Sequence, residues 1–369
     1  MEGRRGSRPG VCPAARSRPV SNLACLAALA AAAFVAQDQP QPWRSICRAT
    51  IPGTATPLGV SPQVHPGRSV AFPLCAPGES AGQPLFASAV PPTASARSAL
   101  GGAAVPGAPQ APRTPPPRFD EVQNVPHGSV FIGAYTSTPL GLARRVFIYL
   151  PPQYGADPAR KFPVLYLRHG KGDNESNWTT DGRAGVILDN LLARGAAVPM
   201  LIVMPNGGTG GALGGGSSPE GIEALGRELL EDVIPLVEGG FRVLPGAANR
   251  AIAGLSMGGG QAFLIGLQHP DTFAWVGEFS AGLISEPGFR LEKHLPGFLD
   301  DPAAVNRKLR LLFLSCGTED QRYNGHLDLV DKLKRHRIRC QWFPTPGAHE
   351  WMVWRRALAE FLPKLFQPA

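Results

Sequence analysis

Short apolar runs alternate with longer amphipathic stretches over residues 118–369. Runs at 163–167, 200–204, 250–253, 275–279, 311–315 and 339–343 are largely apolar and only four or five residues long, the pattern of strands covered on both faces. Stretches at 184–194, 222–238, 261–269 and 327–336 fall between them with helical spacing. A last helix is predicted from Trp351 to about Phe366, with Trp354, Leu358, Phe361 and Leu365 on one face. Segments 130–135 and 145–150 flank Thr138-Pro139-Leu140-Gly141 and read as an antiparallel hairpin that Pro151-Pro152 ends. Strands that alternate with helices define an α/β domain: a mostly parallel sheet of about eight strands with helices on both faces.

Upstream the periodicity stops. Residues 1–37 carry five early arginines and then the apolar run from Leu23 to Ala36, and so read as a secretory signal peptide. A retained anchor is the alternative, although the run is short for a membrane span. Residues 38–117 are rich in Pro, Ala, Gly and Ser and read as a linker without a core. Cys47 and Cys75 lie in it and could pair in an oxidising compartment. The net charge of +8 is concentrated here, with ten arginines and no lysine before residue 118 against Glu2, Asp38 and Glu79. The remainder is nearly neutral and shows no basic stripe with aromatics, so nucleic acid is not an expected partner. A secreted or periplasmic location follows, with no stable span in the mature chain. Oligomeric state is not legible.

Candidate chemistry centres on Gly254-Leu255-Ser256-Met257-Gly258, a G-x-S-x-G between an apolar run and a helical one. That setting suits a nucleophile elbow, with Ser256 at the apex and the Met257 N–H facing a developing oxyanion. The partners of such a serine follow in the order acid, then histidine, on loops after later strands. Asp320 stands just past the run 311–315, with Glu319 as the alternative and Asp328 and Asp331 on the following helix. His349 lies on the Gly/Pro loop after 339–343. His65 falls in the linker, and His269, His294, His326 and His336 read as solvated. The loop Arg168-His169-Gly170-Lys171-Gly172-Asp173 is expected to give the second oxyanion donor, from the Lys171 or else the Gly172 N–H, with the His169 ring bonded to loop backbone. Trp178 and Trp351 are expected to line an acyl pocket, with core or lid packing as the alternative. The Gly-rich loop 205–218 forms a rim of that pocket or a plain surface loop. Cys316 and Cys340 are a disulfide or two thiols. No CxxC or HExxH spacing calls for a metal.

Five separated motifs then carry a likeness. Residues 145–152 (RVFIYLPP), 163–170 (PVLYLRHG), 203–207 (VMPNG), 253–259 (AGLSMGG) and 347–351 (GAHEW) occur in that order. The chain from about 120 onward resembles the esterase D-like α/β-hydrolases, most of all the feruloyl and acetylxylan esterases of carbohydrate esterase family 1, with enterochelin esterases and mycolyltransferases as relatives. The resemblance implies a serine ester hydrolase without a cofactor. Ser256 matches the nucleophile, Asp320 the acid, His349 the base, and Met257 with Lys171 the oxyanion amides. Arg168 departs from the pattern, which has an apolar residue there, and places a charge by the substrate. A small-molecule or polysaccharide ester is the expected partner. Siderophore-ester hydrolysis, acyl transfer, or a catalytically silent binding protein are the alternatives.

Overall fold

The structure is a computed structural model that describes residues 117–367 and, upstream, a two-residue antiparallel pair, Gln63–Val64 with Val70–Ala71. The expected leader 1–37, the rest of the linker, and Cys47 and Cys75 lie outside the described residues.

Strands β1 (Ser129–Ser137) and β2 (Leu142–Leu150) form the predicted hairpin, in which Ser137 pairs with Leu142 and Ser129 with Leu150. Then come β3 (Val164–Arg168), β4 (Leu201–Pro205), β5 (Arg250–Leu255), β6 (Trp275–Phe279), β7 (Leu311–Gly317) and β8 (Gln341–Thr345). They make one sheet in the order β8-β7-β6-β5-β3-β4-β2-β1. Strands β3 to β8 are parallel, and β2 runs antiparallel to β4. This is the mostly parallel α/β sheet the pattern implied and the α/β-hydrolase architecture the resemblance implied. The chain leaves β3 for β4 on one side and returns to β5 on the other, so the C-terminal ends of β3 and β5 form the switch point where open α/β sheets place their ligands.

Helices α1 (Ala184–Ala193), α2 (Pro219–Glu228), α3 (Ile234–Gly240), α4 (Ser256–Gln268), α5 (Tyr323–Arg335) and α6 (Trp351–Phe361) cover the sheet. Alternation along each strand builds two cores. Tyr166, Val203, Ile252, Val276 and Leu312 pack with α2, α3, α4 and α5. Leu167, Ile202, Ala253, Phe279 and Phe313 pack with α1 and α6. A π-helical turn, Leu229–Val233, joins α2 to α3. Pro235 follows it and has no N–H to continue the regular ladder.

Several boundaries differ from expectation: the last strand lies at Gln341–Thr345 and not 339–343, the helix expected from 327 begins at Tyr323, and two further shifts have a local cause. Helix α4 starts at Ser256 itself and not at Gln261. The glycines at 258–260 have poor helix propensity, yet Gly258 is required by the tight turn, and Gly259 and Gly260 pack closely on Ala281 and Leu283. The last helix stops at Phe361, and a 3₁₀ turn with Pro363 replaces its expected end. Cys316 and Cys340 are both free thiols. Cys316 pairs laterally with Pro344, so Cys340 sits four residues away along β8, about 13 Å at ordinary strand rise. Among the described residues no helix is long and apolar enough to cross a membrane.

Candidate active site

Six loops meet at the C-terminal edge of the sheet, those after β3, β4, β5, β6, β7 and β8. The loop after β5 is the sharpest. Ser256 has φ +51°, a left-handed conformation that a non-glycine residue adopts only under restraint. Its two flanking glycines are sterically required. A methyl group on Gly254 would stand 2.3 Å from the Gly258 carbonyl oxygen, and one on Gly258 would stand 2.4 Å from the His169 carbonyl oxygen. The turn thrusts the Ser256 hydroxyl out of the sheet at the first residue of α4.

His349 faces that hydroxyl. Its Nε2 lies 2.9 Å from Ser256 Oγ, and its Nδ1 lies 2.6 Å from Asp320 Oδ2. Asp320 therefore accepts a hydrogen bond from the Nδ1–H and leaves Nε2 free to accept a proton. The carboxylate is buried and also accepts the Arg322 N–H at 3.0 Å and Arg322 Nη1 at 3.3 Å. Burial opposes its charge, but these bonds outweigh burial and hold its pKa well below the ordinary carboxylate range. Arg322 escaped the sequence reading, because a main-chain donor two residues past an acid leaves no compositional mark.

An aromatic row supports the imidazole. Trp354 meets His349 edge-to-face at 4.9 Å, Trp351 meets Trp354 at 5.3 Å, and Trp178 meets Trp351 at 5.3 Å. Trp351 remains half-exposed beside the site. Trp178 was expected to line a pocket but is buried, with its indole N–H donated to the Arg168 carbonyl at 2.9 Å. It is a wall of the core, as its contact with Phe279 shows.

The loop after β3 abuts the elbow. A methyl group on Gly170 would come within 2.6 Å of the Leu255 side chain and 3.5 Å of Ser256 Cβ. Among the described residues neither the Lys171 nor the Met257 N–H donates to another backbone group. His169 is structural, as its position suggested. Its Nδ1 donates to the Gly170 carbonyl at 2.8 Å, and its Nε2 accepts the Gly207 N–H at 2.7 Å. Burial lowers its pKa, in keeping with a neutral ring.

Arg168 was expected to bring a charge to the pocket, and it does not. It is 0% exposed and turns beneath the loops. Its guanidinium donates to Gln261 Oε1 at 2.9 Å and to the Leu225 carbonyl at 3.0 Å. Burial pulls its pKa down to about 10, and Glu228 offsets part of that. With its oxygen fixed by Arg168, Gln261 turns its amide nitrogen to the carbonyls of Gly207 and Gly216, at 2.8 and 2.7 Å. One buried pair thus fastens both ends of the Gly-rich loop after β4. Arg144 holds the same loop through the carbonyls of Asn206 and Gly208, both at 2.6 Å.

The sheet order and the Ser256, His349 and Asp320 alignment together define an α/β-hydrolase with a serine-type site. The sequence pattern of the Esterase family, described as "Putative esterase", matches residues 137–365, and the chain belongs to that family. It is 32% identical over 249 residues to the endo-1,4-beta-xylanase/feruloyl esterase of Xylanibacter ruminicola, a match that covers 66% of this chain and 32% of that protein. The chain thus spans about a third of that relative's length. A solved ferulic acid esterase superposes with a TM-score of 0.56 at 28% identity, covering 65% of this chain and 98% of the other. The carbohydrate esterase family 1 ferulic acid esterase of Anaeromyces mucronatus shares the fold, with a TM-score of 0.58 at 24% identity over 68% of this chain and 96% of that one.

Proposed function

We propose that this chain hydrolyses carboxylic esters through an acyl-enzyme on Ser256. The observation that carries the reading is the unbroken line from Asp320 Oδ2 through His349 to Ser256 Oγ, at 2.6 and 2.9 Å. His349 Nε2 takes the hydroxyl proton as Oγ attacks the ester carbonyl. The N–H groups of Met257 and Lys171, with Gly172 beside them, receive the oxyanion, each donor worth on the order of 3 kcal/mol. Collapse returns the proton to the leaving alcohol. Water, deprotonated by the same nitrogen, then releases the acid. Asp320 keeps the Nδ1 tautomer and stabilises the imidazolium.

Feruloyl or acetyl esters of polysaccharide are the substrates this reading favours. The names of the relatives support that class, and half-exposed Trp351, two residues past His349, offers an aromatic surface near the base. Export fits a polysaccharide substrate and rests on the composition of residues 1–37. The test is hydrolysis of 4-nitrophenyl acetate, methyl ferulate and acetylated xylan by wild type and Ser256→Ala. Turnover that is lost in the variant supports the serine mechanism, and equal turnover in the two proteins ends it. Methyl ferulate turned over much faster than the acetyl esters would select the aromatic acyl group.

A further inference from the structure

A second carboxylate–imidazole pair lies behind the first. Glu278, near the end of β6, and His326, on α5, are both 0% exposed, and His326 Nε2 stands 3.1 Å from Glu278 Oε2. The ring was expected to be solvated. It is instead the first residue of the buried stripe His326, Leu329, Val330 and Leu333. Its Nδ1 donates to the Arg322 carbonyl at 2.7 Å. Both ring nitrogens thus face acceptors, which suits an imidazolium. Burial opposes that charge, but Glu278, with the Cys316 thiol nearby, outweighs it and holds the pKa well above the ordinary histidine value.

Each end of the pair reaches a different catalytic loop. Glu278 Oε2 also accepts the Ala281 N–H at 3.0 Å, and the next N–H, on Gly282, donates to the Ser256 carbonyl at 3.2 Å. The turn between them is strained, with Ser280 at φ +53°. A conformation of that kind persists only where several contacts fix it. At the other end Arg322, whose carbonyl His326 and Ser285 Oγ hold, gives its own N–H and guanidinium to Asp320.

We propose that the Glu278–His326 pair is a positioning bridge, which locks the loop that supports Ser256 to the loop that supports Asp320. The inference rests on the esterase reading of the same site. Stability alone does not explain the pair, because well-packed apolar residues commonly replace a buried ion pair without loss. An apolar pair could not, however, bond the Ala281 N–H or the Arg322 carbonyl.

The discriminating variant is Glu278→Met/His326→Leu, compared with His326→Asn and His326→Gln. Asn can reach only the Arg322 carbonyl, and Gln only Glu278. Hydrolysis of 4-nitrophenyl acetate and the low-field proton resonance of the His349–Asp320 bond are the readouts. In folded protein, kcat is expected to fall about 10-fold to 100-fold in the apolar variant, as a displacement of about 1 Å can produce, with KM little changed. The resonance should shift or broaden, and Asn or Gln should each restore part of both. An unaltered kcat and resonance in folded apolar variant, or in both single variants should that one not fold, would overturn the bridge alone. A wild type inactive toward every ester would instead remove the hydrolase reading, while the resonance would still report on the bridge.

Discussion

Two histidines sit against carboxylates within one half of the sheet, and their third neighbours separate their chemistry. The Nε2 of His349 faces a hydroxyl, its side chain is 28% exposed, and one nitrogen is left able to take a proton. His326 is sealed, and both its nitrogens point at oxygens that only accept. A carboxylate partner therefore does not make a base. The base is the ring whose far nitrogen meets a group with a proton to give, at a place a substrate can reach.

The comparison breaks most visibly at the serine. Ser256→Ala and His349→Ala should each lower kcat by on the order of 10⁴-fold to 10⁶-fold toward 4-nitrophenyl acetate, with little change in unfolding midpoint. Asp320→Asn keeps the shape but loses the tautomer control, and steady-state kinetics should show a loss of roughly 10³-fold to 10⁴-fold in kcat. His326→Ala should invert the emphasis. It leaves a buried carboxylate without its cation, which typically costs about 3–5 kcal/mol, read as a lower midpoint in urea. If His326→Ala were as stable as wild type, the sealed pair would not be ionic.

The pKa values of Asp320 and His326 are also displaced in opposite directions. The Asp320 pKa is depressed from 3.8, so its contribution to stability is complete above that value and is lost as pH falls through the folded pKa. The His326 pKa is raised from 6.5, so its contribution is complete below that value and is lost as pH rises through the folded pKa. The polar and titratable groups that face this ring are Glu278, Cys316 and the Arg322 carbonyl, and Trp342 stacks on its face. Urea midpoints taken across pH should therefore lose their acid limb in Asp320→Asn and their alkaline limb in His326→Gln. Both limbs persisting in both variants would assign the pH dependence elsewhere.

Much of this was legible before any coordinates. The strands announced themselves as short apolar runs, and a serine, an acid and a histidine each followed one of them, so chain order and loop position pointed to Ser256 and His349 and to Asp320 with Glu319 beside it, of which the structure brings Asp320 to the imidazole. What stayed hidden was side-chain direction. Arg168 ends a strand at the sheet edge, where a charge ordinarily points to water, yet Gln261 and Glu228, 93 and 60 positions away in the chain, draw it inward. His326 was read as solvated on a helix surface or loop, although the spacing i, i+3, i+4, i+7 to Leu329, Val330 and Leu333 marks it as part of a buried face. Trp178 was expected at the pocket with core packing as the alternative, and the alternative holds, since a large aromatic ring whose N–H finds a backbone partner is readily a core residue.

The smallest effect should come from the clasp on the Gly-rich rim, which touches neither pair. Gln261→Leu keeps the volume near that of the amide but withdraws its bonds to the carbonyls of Gly207 and Gly216 and leaves Arg168 Nη1 without its acceptor. The serine, histidine and aspartate do not contact Gln261, so kcat should hold. The rim lies against Met257, where a methyl group on Gly216 would stand 2.9 Å from the sulfur, so a looser rim should weaken substrate capture. Loss of about 1 kcal/mol, the usual worth of one neutral hydrogen bond, corresponds to a rise of about 5-fold in KM. Arg168→Met/Gln261→Leu should resemble the single variant in KM and recover stability, because it also removes the buried charge that Gln261→Leu strands. A fall in kcat with unchanged KM would instead place the clasp among the groups that set the geometry of the serine, on the same footing as the sealed pair.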